Sequence, residues 1–174
     1  MNARPRVGVS ACLLGEAVRY DGGHKRHTWV TEVLARQVEL VPFCPEVAAG
    51  LGVPRPPIQL VRRGAGIHAV GVDDDSLDLT WHLIVHALAF RSNHPGLCGY
   101  VFKARSPSCG LGSTPLYADG ADTGQRINGL FAHALVRALP GLPAVEETAL
   151  DDPARRKAFL EQVFERFRTG IRNG

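Results

Sequence analysis

Four cysteines dominate the chemistry available to this 174-residue chain: Cys12, Cys44, Cys98 and Cys109. Three of them stand in turn-forming surroundings, Ser10-Ala-Cys12-Leu-Leu-Gly15, Cys44-Pro-Glu46 and Ser106-Pro-Ser-Cys109-Gly110. Proline and glycine fix turns there and let a bulky group approach the backbone. Thiolates are soft ligands of the kind iron–sulfur clusters require. The spacing matches neither the paired-cysteine zinc pattern nor a ferredoxin pattern. Free cysteine also serves as a small core hydrophobe. On residue type alone, inert thiol, metal ligand and catalytic thiol all stand.

The surrounding elements favour ligands. Residues 6–11 read as a strand running into Cys12, residues 39–43 as a strand running into Cys44, and residues 99–103 as a third strand before the Cys109 turn. Pro42 weakens the far end of the second. Between them, residues 28–38 read as a helix with Trp29, Val30, Val33, Leu34 and Val38 on one side. Residues 76–90 read as another, with Leu77, Trp81, Ile84, Val85 and Leu88 on one face and Asp75 or Ser76 at its start. Residues 58–72 suggest two short strands around Gly64-Ala-Gly66, residues 111–129 a turn-rich segment, and residues 130–139 a short helix. A last helix begins at Asp152-Pro153. Alternating strands and helices predict an α/β fold: a small single domain with a mainly parallel, Rossmann-like sheet and a C-terminal helical extension. The expected division is a cluster-binding core over residues 1–145 and the extension over 146–174. In such sheets ligands bind beyond the C-terminal strand ends, so three distant segments can deliver three thiols to one edge.

Composition sets limits. The chain is 45% apolar, enough for a packed core and too much for disorder. No apolar run approaches the ~18–20 residues of a membrane span, and the start, Met1-Asn-Ala-Arg-Pro-Arg6, lacks the pattern of a signal peptide. The expectation is a cytoplasmic protein with reduced thiols and no membrane partner. Twenty basic residues against 17 acidic ones give a net charge of +3, too balanced to argue for nucleic acid. The pairs Arg62-Arg63 and Arg155-Arg156 read as solvated surface.

Several motifs in order are more specific than any one. Ser10-Ala-Cys-Leu-Leu-Gly15, Arg19-Tyr-Asp-Gly22, Cys44-Pro-Glu46, Gly50-Leu51, Pro54-Arg-Pro-Pro57 and Lys103-Ala-Arg-Ser-Pro-Ser-Cys-Gly110 resemble the motifs of the bacterial thiouracil desulfidase family. The resemblance spans roughly residues 6–140. It implies a 4Fe-4S cluster held by Cys12, Cys44 and Cys109 alone, with one open iron site for the sulfur of a thiolated nucleobase such as 2-thiouracil. The iron would polarise the carbon–sulfur bond, water would attack carbon, and hydrosulfide would leave without redox change. It also implies a supply of clusters from assembly machinery.

Such chemistry needs proton transfer. Glu46 matches the family's acid/base position, and Ser106 matches a serine proposed to assist at the substrate. Asp21 is a third catalytic candidate, and as good a turn residue. Ser10 and Ser108 are placed to hydrogen-bond cluster sulfurs. Arg19, Arg55 and Lys103 serve substrate or loops, with Arg55, among prolines, read as structural. Cys98 reads as a buried core thiol. His82 and His86 have metal-binding spacing but no third partner, and read as a solvated pair.

Two departures stand out: Gln59, where relatives often carry Glu, and the tail from Ala144 with Glu146-Glu147. The tail either docks on the core or mediates contacts in a homodimer. Two other functions compete with the enzyme: a cluster-bearing sulfur carrier or sensor without catalysis, and a structural zinc site completed by Cys98 or a histidine.

Overall fold

The computed structural model describes residues 3–172. Met1 and Asn2, the start of the segment read for an export signal, and Asn173 and Gly174, the end of the helical extension, lie outside the described residues.

A four-stranded parallel sheet forms the centre, ordered β2-β1-β5-β8, from β1 (Arg6–Ser10), β2 (Glu39–Phe43), β5 (Leu97–Phe102) and β8 (Ala144–Glu146). These are the three strands expected to lead into the cysteines, plus one from the tail. The strands are rich in Val, Leu, Phe and Tyr because both faces are covered. On one face, Tyr100 and Phe102 pack with Phe131 of α4 (Leu130–Ala138) and with Leu83, Ala87 and Phe90 of α3 (Thr80–Asn93). On the other, Val7, Val9 and Val101 pack with Trp29, Val30 and Leu34 and with Phe159 and Val163 of α5 (Pro153–Arg172).

A second sheet, ordered β4-β3-β6-β7, is mixed. The hairpin of β3 (Ile58–Arg63) and β4 (Gly66–Gly71) was expected. The hairpin of β6 (Thr114–Ala118) and β7 (Ala121–Ile127) stands where the sequence predicts turns, because β7 is almost wholly exposed and its polar sequence carries no alternation.

Two helix faces differ from expectation. In α3 the buried residues are Leu83, Ala87 and Phe90, whereas Trp81 is 69% exposed and Val85 and Leu88 are partly solvated. The helix starts at Thr80 rather than 76, with Asp78 accepting the Thr80 N–H at 2.8 Å, while Asp74 holds Ser76 in the preceding turn. The two faces were nearly equally apolar, so pattern alone could not choose between them. In the helical stretch 28–37 the segment Val30–Leu34 is a π-turn that continues into α1 (Ala35–Gln37). Its i→i+5 turn, with more residues per turn than an α-helix, keeps Val30 and Leu34 buried but leaves Val33 outward.

The tail belongs to the sheet. The division drawn at 145–146 falls inside β8, whose register with β5 runs Tyr100↔Ala144 to Phe102↔Glu146. Beyond it, α5 (with α2 at Pro45–Ala48 completing the helices) lies on the sheet face opposite α3 and α4.

Close backbone approach fixes the loop after β5. The first N–H groups of α4 donate to that loop: Leu130 to the Pro107 carbonyl at 3.0 Å and Ala132 to the Ser108 carbonyl at 3.1 Å. This satisfies orphan donors that every helix start carries. Gly129 permits it, since a Cβ there would lie 2.5 Å from the Ser108 carbonyl carbon and 2.8 Å from the Cys109 nitrogen. Gly129→Ala is therefore expected to destabilise the protein by about 1–3 kcal/mol. Gly52→Ala, with nothing within 4 Å of the added carbon, should change stability by no more than about 0.5 kcal/mol. Urea unfolding of both variants checks this.

Candidate functional site

Three cysteines meet at the C-terminal edge of the parallel sheet. Cys12 lies in the 3-10 turn Ala11–Leu14 directly after β1, Cys44 directly after β2, and Cys109 in the loop after β5. Because β2, β1 and β5 are adjacent and parallel, the chain leaves all three at the same edge. The three thiols line one cavity of about 470 Å³, shared with Glu46, Ser106 and Lys103. That volume is in the usual range for ligand sites. Among the described residues no three His, Cys, Asp or Glu side chains are grouped as a single ion would need. The thiols instead surround a space.

Burial governs their ionisation. Desolvation pushes the Cys12 thiol from 9.0 up to about 11, against the opposing pull of Lys103. Cys44 is also raised by burial, with hydrogen bonding from the Val47 N–H and the Arg55 charge working the other way. Cys109 is raised well above the usual thiol range by burial, partly relieved by the Ser10 hydroxyl. Any group that binds thiolates here must displace protons held by desolvation.

Glu46 stands at the centre of a buried network. Its Oε2 accepts from Arg55 Nε at 2.8 Å and its Oε1 from Ser108 Oγ at 2.7 Å. Arg55, with a side chain only 4% exposed, also reaches Cys44 Sγ at 3.9 Å through Nη2 and the Gly52 carbonyl through Nη1. The residue read as a loop former among prolines thus lies inside the site. Ser108 bonds the carboxylate, whereas Ser10 accepts the Lys103 N–H at 3.0 Å and lies by Cys109.

Ser106 lines the cavity and organises the Cys109 turn. Its Oγ accepts from the N–H groups of Ser108 and Cys109 at 3.2 and 3.0 Å, leaving the hydroxyl proton free to donate. Asp21 is not among the lining residues. It accepts the Gly23 N–H at 3.0 Å and pairs with Arg19 at 3.4 Å, and that backbone hydrogen bond chiefly lowers its pKa. Gln59 also lies outside the lining.

Cys98 is buried near the start of β5, beside a register shift between Arg6 and Val7, with its Sγ near the Gly96 carbonyl at 3.1 Å. Four residues of strand, about 13 Å, separate it from the edge where the other thiols meet. His82 is exposed and His86 half-buried on α3, with no third ligand grouped beside them among the described residues.

The tail supplies two carboxylates that sequence reasoning left without a role. Glu147 pairs with Lys103 Nζ at 2.5 Å and accepts the Ala104 N–H at 2.6 Å. Glu146 accepts the Leu111 N–H at 2.7 Å and the Ser113 hydroxyl. Together they clamp both ends of the Cys109 loop. Consecutive acids in a tail give no signal of this; only the placement of β8 beside β5 does.

The chain is similar to known proteins in sequence and in fold. The chain is 26% identical over 151 residues to the uncharacterized protein YbbK of Bacillus subtilis, covering 83% of this chain and 97% of that protein. A solved structure of TudS, a [4Fe-4S]-dependent thiouracil desulfidase, superposes with a TM-score of 0.65 at 34% identity, covering 89% of this chain and 99% of that one. The 2-thiouracil desulfurase family model matches residues 7–147, a span that ends on Glu147, the partner of Lys103. By sequence and by fold, the chain belongs to the 2-thiouracil desulfurase family.

Proposed function

We propose that this protein is a desulfidase that replaces the sulfur of a thiolated nucleobase, such as 2-thiouracil, with oxygen from water, at a 4Fe-4S cluster held by Cys12, Cys44 and Cys109. The observation that carries the reading is the convergence of these three thiols on one cavity together with Glu46 and Ser106. The donor set fits the group: three soft ligands converge, and the fourth cysteine lies buried at the other end of β5. A buried hydroxyl without a partner, that of Tyr100, belongs to a ring packed in the same core cluster as Cys109 and can serve as a donor to sulfur. When bound, the cluster supplies a soft Lewis acid with one iron free for the thiocarbonyl sulfur.

The reaction converts C=S and water into C=O and hydrogen sulfide, so one water contributes the oxygen and both its protons must be moved. Glu46 is the base: a free lone pair on its carboxylate takes a proton from water while Arg55 and Ser108 hold it in place. Ser106 donates a hydrogen bond to the substrate through its free hydroxyl, and both water protons pass by way of Glu46 to the departing sulfur, which leaves as hydrogen sulfide. Lys103, held by Glu147, contributes positive charge at the wall of the cavity. Arg55 holds Cys44 and Glu46 in fixed relation. We assign Asp21 to the turn it stabilises.

The central test is iron and acid-labile sulfide content, with a visible spectrum, after anaerobic reconstitution. Cys12→Ala, Cys44→Ala and Cys109→Ala are expected to lose the cluster and Cys98→Ala to keep it. A wild-type protein that takes up no iron would sink the proposal.

Glu46→Gln keeps an acceptor for Ser108 but removes the base. Thiouracil turnover should fall by about 100-fold or more with iron content unchanged, whereas Asp21→Asn should turn over like wild type. Equal turnover of Glu46→Gln and wild type would take Glu46 out of the base's role, and a cluster-loaded wild type without turnover would instead favour a sulfur carrier.

A pH dependence follows from burial. The folded chain holds the Cys12 proton more tightly than the unfolded chain, with a pKa of about 11 against 9.0. That contribution is complete below pH 9 and is lost as pH rises through 11. For Cys12 it amounts to about 3 kcal/mol, with Cys44 and Cys109 shifted in the same direction. Chelator-treated protein should lose stability across this window in urea titrations, and Cys12→Ala should lose less.

A further inference from the structure

Tyr100 is the buried polar side chain that the network around Glu46 leaves unused. Its ring is clamped on every side. Phe102 stacks on it at 4.1 Å, Phe90 and Phe131 flank it at 5.7 and 5.8 Å, and Gly8 leaves room for it where a Cβ would lie 2.3 Å from Cδ2. The residue is 0% exposed and its hydroxyl has no hydrogen-bond partner. A phenylalanine would fill this place without stranding a donor, since an unpaired buried hydroxyl is a net cost to the fold. Cys109 is packed in the same buried cluster as Tyr100, and the electrostatics of Cys109, Cys44, Cys12 and the Ser10 hydroxyl bear on the phenol, which completes a hydrogen bond to none of them.

The chemistry of sulfur accounts for the orphan. A thiol is a weak acceptor, whereas a metal-bound thiolate carries charge and accepts well. A donor packed in one cluster with Cys109 is therefore unmatched in the thiol form and can be matched in the ligated form.

We propose that the Tyr100 hydroxyl donates a hydrogen bond to the Cys109 thiolate when that thiolate ligates the cluster. This rests on the cluster-binding reading above. The hydroxyl draws charge from the ligand sulfur, so it holds the cluster at a higher potential and steadies the Cys109 corner of the site. Rigid packing of the ring sets its direction in advance, so it is the Cys109 sulfur that closes on the donor when the site is loaded.

Tyr100→Phe removes the hydroxyl alone. After anaerobic reconstitution the variant should hold as much iron and sulfide as wild type. Its cluster should reduce at a more negative potential in an EPR-monitored titration. One exchangeable proton, seen by comparing pulsed EPR spectra in H2O and D2O, should be lost. The chelator-treated variant should unfold no earlier than wild type, because the missing hydroxyl had no partner there. An unchanged potential together with an unchanged exchangeable-proton signal would overturn the proposal. So would a chelated variant that is less stable than wild type or fails to fold, for that would give the hydroxyl a partner within the protein. A wild type that takes up no iron and sulfide would bring down the cluster reading itself, which separates that failure from a failure at Tyr100 alone.

Discussion

Because β1 runs between β2 and β5 and parallel to both, the chain leaves all three strands at one edge of the sheet, and the segment after each exit carries a cysteine, directly after β1 and β2 and within the loop after β5. Antiparallel pairing would have sent one exit to the opposite edge. Parallel neighbours need crossover connections, and here they carry the helical stretch 28–37 to one face and α3 and α4 to the other, with α5 added to the first face after β8. Burial of those faces against α3 and α4 on one side and α5 on the other holds three strand ends in register, though they lie far apart in sequence.

Depth at that edge has opposing consequences. It excludes water from the thiols and so disfavours their charged forms. It also makes each nearby charge and donor count for more. The site answers with a buried pair, Glu46 and Arg55, rather than with apolar packing. Buried pairs seldom add net stability, because desolvation offsets the attraction. Their value here is geometric. Arg55 touches the carboxylate and Cys44 Sγ, and Ser108 ties the same carboxylate to the Cys109 loop. One acid thereby links two of the three cysteine-bearing segments.

Much of this was legible in the sequence because it rests on local signals. Strands 6–10 and 39–43 were marked by apolar residues running into a turn, and the last helix by Asp152-Pro153. The cysteines could be picked out by their proline and glycine neighbours and by the order of the motifs. What was not legible depends on distant contacts. Arg55 lies among prolines, yet its partner Glu46 comes from the segment after β2. Trp81, Val85 and Leu88 offered α3 a face as apolar as the one it buries, and the sheet's neighbours chose the other. Tyr100 reads as one more aromatic in a core strand; only the absence of a partner for its hydroxyl sets it apart.

The polar atoms around the cavity are mostly committed to holding its shape, and this bears on how roles divide among them. The carbonyl of Ser106 is bound by Gly110 and Thr114, and its Oγ caps the Cys109 turn as an acceptor. Lys103 is tied to Glu147 and to the Ala104 carbonyl. Asp21 serves its own loop. What stays free is small: the hydroxyl proton of Ser106, the remaining lone pairs of Glu46 and the donor of Tyr100. The first two belong to residues that line the cavity and the third to a ring packed in the same core cluster as Cys109. A site so constrained can change substrate at its rim, through Arg19, Lys25 and Arg105, without disturbing the atoms that would move protons. The tail is part of that constraint, because Glu146 and Glu147 fix the loop from which both Ser106 and Cys109 project. Loss of β8 would therefore reach the chemistry through the loop.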